Sequence, residues 1–174
     1  FEKASHYLDS AKHNASELNL LRTVAKLEFY QGRLAESARM WEKVVRREPS
    51  ASDAVSALSH CYQALGENEK AVAAVRGLVD DYPHNVPLKR LYYSVQDDNH
   101  ERLLILDSLL EMTPTDPWVW SRRALVCHEL GENEKSDASL ERALKLAPRD
   151  ASVRLCQGRI RYGRGELEPA KDAL

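Results

Sequence analysis

Apolar residues recur along this chain at helical spacing. From Ala54 the series runs through Leu58, Cys61 and Leu65, at i, i+4, i+7 and i+11. After a short polar gap a second stripe follows: Ala71, Val75, Leu78 and Val79. This spacing gathers apolar side chains on one face of a helix, whereas a half-buried strand alternates every second residue. Leu88, Leu91, Tyr92 and Val95 predict another helix, and Leu103, Leu106 and Leu110 one more. The gap after Leu65 reads GENEK. Gly66 suits a left-handed helix stop there, and Asn68 suits the start of the next helix. The string LGENEK occurs twice, at 65–70 and at 130–135. With no cluster of glycines to cradle a phosphate, both copies read as connectors between helices.

The connectors are periodic. Pro49, Pro83, Pro114 and Pro148 close apolar runs at spacings of 34, 31 and 34 residues. Gly32, Gly66 and Gly131 each stand 17 residues before one of these prolines, and Gly165 continues the series. A 34-residue period split by a glycine turn means two helices per unit. Within the second unit stand Val55, Leu58, Ser59 and Tyr62, then Ala71, Val75 and Pro83. The fourth unit places Trp120, Arg123, Ala124 and Cys127, then Ser136, Leu140 and Pro148, in register. Leu21, Val24, Ala25 and Glu28, then Ser37, Trp41 and Pro49, hold the same places in the first, and Gly158 and Ala170 hold the small-residue places in the fifth.

In these positions the chain resembles the tetratricopeptide repeat (TPR) family, whose signature is W-x2-L-G-x2-Y, then A-x3-F, then P. Glu28 and Arg123 depart from it. The resemblance covers nearly the whole chain and implies an all-α fold, a right-handed superhelical solenoid of antiparallel helix pairs. Small residues are needed where neighbouring helices approach closely, and large apolar ones fill the gaps between them. The units fall at 18–51, 52–85 and 117–150, with a degenerate shortened unit at 86–116 and a truncated one at 151–174. Residues 1–17 read as the second helix of a preceding repeat. Neither end resembles a polar capping helix, so the chain reads as cut from a longer array. In the shortened unit QDDNHE replaces the glycine turn. Losing three residues removes nearly one helical turn and roughly keeps the phase. Asp98 and Glu101 have capping-box spacing for the helix that follows, and this is where the solenoid is expected to deviate.

Composition changes the picture little. The chain has 174 residues, is 43% hydrophobic and 30% charged, and carries a net charge of −2. No global basic field advertises nucleic acid or membrane, and no apolar run approaches the roughly 18 residues a membrane span needs. Cys61, Cys127 and Cys156 form neither CxxC nor a zinc-ligand spacing and read as buried apolar residues. Their odd number favours a reducing, cytoplasmic compartment, with a periplasmic address left open.

Nucleotide-binding, nucleophile-elbow and HExxH motifs are absent. His60–Cys61 and Cys127–His128 are adjacent on helices and point about 100° apart, so neither pair converges on a metal. No catalysis, cofactor or metal is expected. The family resemblance instead implies a protein–protein interaction scaffold that binds a peptide or protein on its concave face. The residues it places there include Arg22, Lys26 and Tyr30, then His60 and Gln63, then Arg90, Trp118 and His128, and finally Arg159 and Tyr162. The family's carboxylate clamp is not matched: Arg22 and Lys26 suit its first pair, but Ala57, Pro87 and Leu91 hold its other places. A more specific alternative is the TPR region of a bacterial secretion or exopolysaccharide-export complex. A different class, a helical-repeat RNA binder, needs a basic stacking face, and residues 51–114 hold five Lys/Arg against ten Asp/Glu. Residues 149–164 reverse that balance, with Arg149, Arg154, Arg159, Arg161 and Arg164 against Asp150. That polarity predicts an acidic partner.

Overall fold

The computed structural model describes the backbone of residues 2–166 and the side chains of residues 16–166. Among them every regular element is a helix: α1 (Glu2–Tyr30), α2 (Leu34–Arg47), α3 (Ser52–Ala64), α4 (Asn68–Asp81), α5 (Val86–Val95), α6 (Asn99–Met112), α7 (Pro117–Glu129), α8 (Asn133–Leu146) and α9 (Ala151–Gly163). The fold is an all-α helical repeat, as the 34-residue period predicts. The place assigned to Ala170 lies outside the described residues.

The recurrent glycine makes one turn, used four times. Gly66 has φ +76° and Gly131 φ +78°, and Gly32 and Gly165 match them. The glycine N–H bonds three residues back, and the next residue's N–H bonds five back: Gly66 to Gln63 at 3.0 Å and Glu67 to Tyr62 at 2.8 Å. Gly131–His128 and Glu132–Cys127 repeat the pair at 3.0 and 2.8 Å. These two bonds satisfy carbonyls that the helix end would otherwise leave open, and an L-residue enters this conformation only with strain. Asn68 does begin α4, but it is the first helical residue. The capping position is Glu67, whose side chain makes no cap bond.

Three other helices start on an aspartate. Asp98 accepts from the N–H groups of His100 and Glu101, Asp116 from that of Trp118, and Asp150 from those of Ser152 and Val153. The Asp98 cap starts α6 where the glycine turn is missing. The loss of three residues falls on α5, which has 10 residues where α3, α7 and α9 have 13.

The chain divides into two compact units, Phe1–Val95 and Gln96–Leu174, and the division falls at the start of QDDNHE. In the first unit α1 packs on α2, α2 on α3, α3 on α4, and α5 on both α3 and α4. Its core joins Ala25, Ala38, Trp41, Val44, Ala54, Leu58 and Cys61. In the second unit α7 packs on α6, α8 and α9, around Ala124, Leu125 and Ile160. Full burial of each Val or Leu contributes about 1.5–3 kcal/mol. The small positions are tight as expected: Ala25, Ala71 and Ala124 are wholly buried. Ser37 and Ser136 sit at corresponding places, and each hydroxyl donates at 2.8 Å to a carbonyl of the preceding helix, Ala25 and Ala124 respectively.

The boundary expected after residue 17 does not appear. α1 runs unbroken from Glu2 to Tyr30, because no Gly or Pro occurs before Gly32 to stop it. The Arg123 departure from the family pattern also has a physical account. Its guanidinium reaches Asp107 on α6 and the Ser139 hydroxyl on α8, both at 2.7 Å, so polar bonds replace the usual apolar contact.

Candidate functional site

In the first unit the outer faces of α1 and α3 enclose a cleft of about 300 Å³. Lys26, Phe29 and Tyr30 come from the last turns of α1, and Asp53, Ala57 and His60 from successive turns of α3. Trp41 of α2 closes the cleft from below. The spacings place each triplet on one helix face, so the repeat geometry alone brings these six side chains together. Trp41 is 3% exposed and belongs to the core, whereas Tyr30 is 84% exposed and free to be covered. The Phe29 and Tyr30 rings meet edge to face, 6.2 Å apart.

The charges in the cleft are unequal. Asp53 is engaged by Arg22, which also donates to Glu48 at 2.7 Å. The Glu48 bond, followed by the Asp53 contacts, holds the Arg22 guanidinium above its ordinary value against the opposing effect of burial. Arg22 therefore acts as an internal tie between α1, α3 and the end of α2. Lys26 and His60 stand exposed beside the aromatic walls. A cleft of this kind can take an apolar or aromatic side chain and hold a carboxylate next to it.

The remaining expected positions are dispersed. Gln63 is exposed on α3, one turn beyond the cleft lining, and Arg90 is half-buried on α5. Trp118 is half-buried on α7, with the Arg122 guanidinium 5.7 Å above its ring. His128 is half-buried against α9: a Cβ on Gly163 would lie 2.6 Å from its Nε2, so glycine is what permits this contact. Arg159 and Tyr162 are exposed on α9 on the same face as Leu155, with Tyr162 70% exposed and Leu155 48%. Phe29, Trp41 and Ala57 are lining residues that sequence reasoning misses. By pattern Trp41 is only the large apolar residue of the repeat, and Phe29 is signalled only by standing beside Tyr30 at the end of a helix.

Cys61, Cys127 and Cys156 are all buried and free. Burial pushes the Cys61 thiol up, partly offset by the Ser37 hydroxyl at 3.3 Å, and likewise raises Cys127. Buried thiols held in the protonated form are poor nucleophiles. Among the described residues no group of three or more His, Cys, Asp or Glu could hold a metal ion. No helix among them is long and apolar enough to cross a membrane.

Two family models, each described as tetratricopeptide repeat, match residues 24–86 and 119–150. The "Cellulose synthase 2 operon protein C" of Komagataeibacter xylinus is 28% identical over 88% of this chain and 12% of its own length. The human "Protein O-mannosyl-transferase TMTC1" is 23% identical over 97% of this chain and 20% of its own length. The chain thus spans between about an eighth and a fifth of these relatives. The crystal structure of a thermophilic TPR protein from Thermus thermophilus superposes with a TM-score of 0.65 at 20% identity, covering 90% of this chain and 87% of that one.

Proposed function

The chain belongs to the tetratricopeptide repeat family, a protein–protein interaction fold, and from that premise we propose that it docks a protein segment in the cleft between α1 and α3. The observation that carries this reading is the pairing of exposed aromatic surface at Phe29 and Tyr30 with the uncommitted Lys26 ammonium on the cleft rim. Asp53 is neutralised from within the chain by Arg22, so the cleft favours a segment with an acidic residue beside an apolar or aromatic one. Arg159, Leu155 and Tyr162 on α9 offer a second surface of the same chemistry. Binding is tested by selecting peptides on the folded chain from a random display library. Enriched sequences should pair Asp or Glu with a large apolar residue, and Tyr30→Ala and Lys26→Glu should each weaken them at least about tenfold, or roughly 1.4 kcal/mol. Selected peptides that bind both variants unchanged would refute the assignment.

A second reading, part of an exopolysaccharide-export complex working in the periplasm, is favoured by the likeness to the cellulose synthase operon protein. Deleting this segment in the source organism should then abolish polysaccharide export while the other components of the machine persist. Unchanged export would remove that reading and leave the docking cleft untouched.

A further inference from the structure

α2, α4, α6 and α8 each have 14 residues, so their positions correspond one to one. In that register α4 departs from the others at its outer face. The tenth residue is Lys43 in α2, Ser108 in α6 and Arg142 in α8, but Gly77 in α4. Glycine weakens a helix interior relative to any of these. Nothing lies within 4 Å of where a Cβ on Gly77 would stand, so packing inside the chain does not call for it. The last two residues are Arg46 and Arg47 in α2 and Lys145 and Leu146 in α8, but Asp80 and Asp81 in α4. A helix C-terminus is the negative end of its dipole, which cations suit and carboxylates oppose. α6 places a single acid, Glu111, in its last pair. α4 alone places two.

All three departures line one open groove of about 570 Å³ between α2 and α4. Its apolar lining is Val45, Leu58, Ala74 and Leu78, with Gly77 among them, and its acids are Glu42, Asp80 and Asp81. The cation of its lining, Arg46, lies 3.6 Å from Glu42, and the Tyr62 hydroxyl donates to the same carboxylate at 2.7 Å. The groove is therefore acidic on balance and shares no residue with the α1–α3 cleft. Local choices that each weaken the fold without an internal gain, and that meet at one surface, mark a surface shaped for something else.

We propose that this groove docks a basic amphipathic helix of a partner protein, with an aliphatic side chain over Gly77 and Lys or Arg reaching Asp80 and Asp81. The absent side chain at Gly77 lets the incoming helix lie close, as interhelical packing of 8–10 Å requires. A cation at the end of α4 would meet both carboxylates and the last helix carbonyls at once. The site is independent of the α1–α3 cleft, and neither needs the other.

The test uses a synthetic peptide of about 18 residues, long enough to form a helix, with Leu on one face and Lys on the other, and a counterpart carrying Glu for Lys. Fluorescence anisotropy on the whole chain should show the Lys peptide bound at least about tenfold tighter than the Glu peptide, more so at low salt. Gly77→Leu should abolish that preference by filling the groove, and Asp80→Asn with Asp81→Asn by removing the charge. Both variants should keep or raise Tm, because each removes a feature that weakens α4, so lost binding is separated from misfolding. Equal binding of the two peptides by the unmodified chain would overturn the proposal, as would either variant binding the Lys peptide within about twofold of it. Sedimentation that shows dimers dispersed by the Lys peptide would overturn it too, by making a second copy the occupant.

Discussion

α4 and α8 begin with the same three residues, Asn-Glu-Lys, after the same glycine turn, and then part company. On their inner faces they agree. Ala71 and Ser136 are both wholly buried small residues at the close approach, and Val75 and Leu140 supply the bulk one turn later. On their outer faces they disagree: Gly77 against Arg142, and Asp80–Asp81 against Lys145–Leu146. Packing constrains the inner face in every repeat, because volume changes of even one methylene are felt there. Packing does not dictate the outer face, where Gly77 meets nothing within 4 Å and Asp80, Asp81, Arg142 and Lys145 are exposed, so its differences leave room for what each helix meets outside.

The largest effects should come from breaking what the two helices share. Ala71→Leu and Ser136→Leu force bulk into wholly buried positions, and each should cost about 1–3 kcal/mol. Chemical denaturation followed by circular dichroism reads that loss. A near-neutral result at either position would mean the close approach is not what holds the pair. Next, Gly66→Ala and Gly131→Ala should each cost about 1–2 kcal/mol, because both place a Cβ in the left-handed region. The two costs should agree within about 0.5 kcal/mol, since the turns have the same φ and the same bonds. Unequal costs would break the equivalence of the two turns.

Much of this was legible in the sequence because it depends on local rules. The glycine series, the small residues Ala25, Ala71 and Ala124, and the cap at Asp98 each follow from a short-range requirement. The continuity of α1 was less so. Residues 1–17 look like a separate helix by unit length, yet a boundary needs a stop signal, and none stands before Gly32. The cleft was legible in part: Lys26, Tyr30 and His60 meet there. The commitment of Arg22 to Glu48 and Asp53 could not be read, since it depends on where three separate helices place their charges.

Smaller effects sharpen the contrast between the outer faces. Gly77→Ala should raise stability by about 0.5–1 kcal/mol, as expected where no contact depends on the glycine. Arg142→Ala should stay within about 0.5 kcal/mol, as exposed substitutions do. A destabilising Gly77→Ala would show that the fold itself needs the glycine. Finally, the aspartate caps of α6 and α9 should be acid-sensitive. Backbone N–H bonds, with Glu101 first, hold the Asp98 carboxyl below its usual range, and the Ser152 hydroxyl followed by backbone bonds does the same for Asp150. A depressed carboxyl contributes stability that is complete above the unfolded value near about 4 and is lost as pH falls through the lower folded value. Asp98→Asn and Asp150→Asn should therefore flatten the acid limb of a Tm–pH curve and leave the neutral region little changed.

The docking cleft itself is tested most directly by amide chemical shifts of the labelled chain as a display-selected peptide is added. The account predicts that the largest shifts cluster at Lys26, Phe29, Tyr30, Ala57 and His60, and that Tyr30→Ala removes them. Large shifts confined to other helices, with those five amides unmoved at saturation, would contradict it.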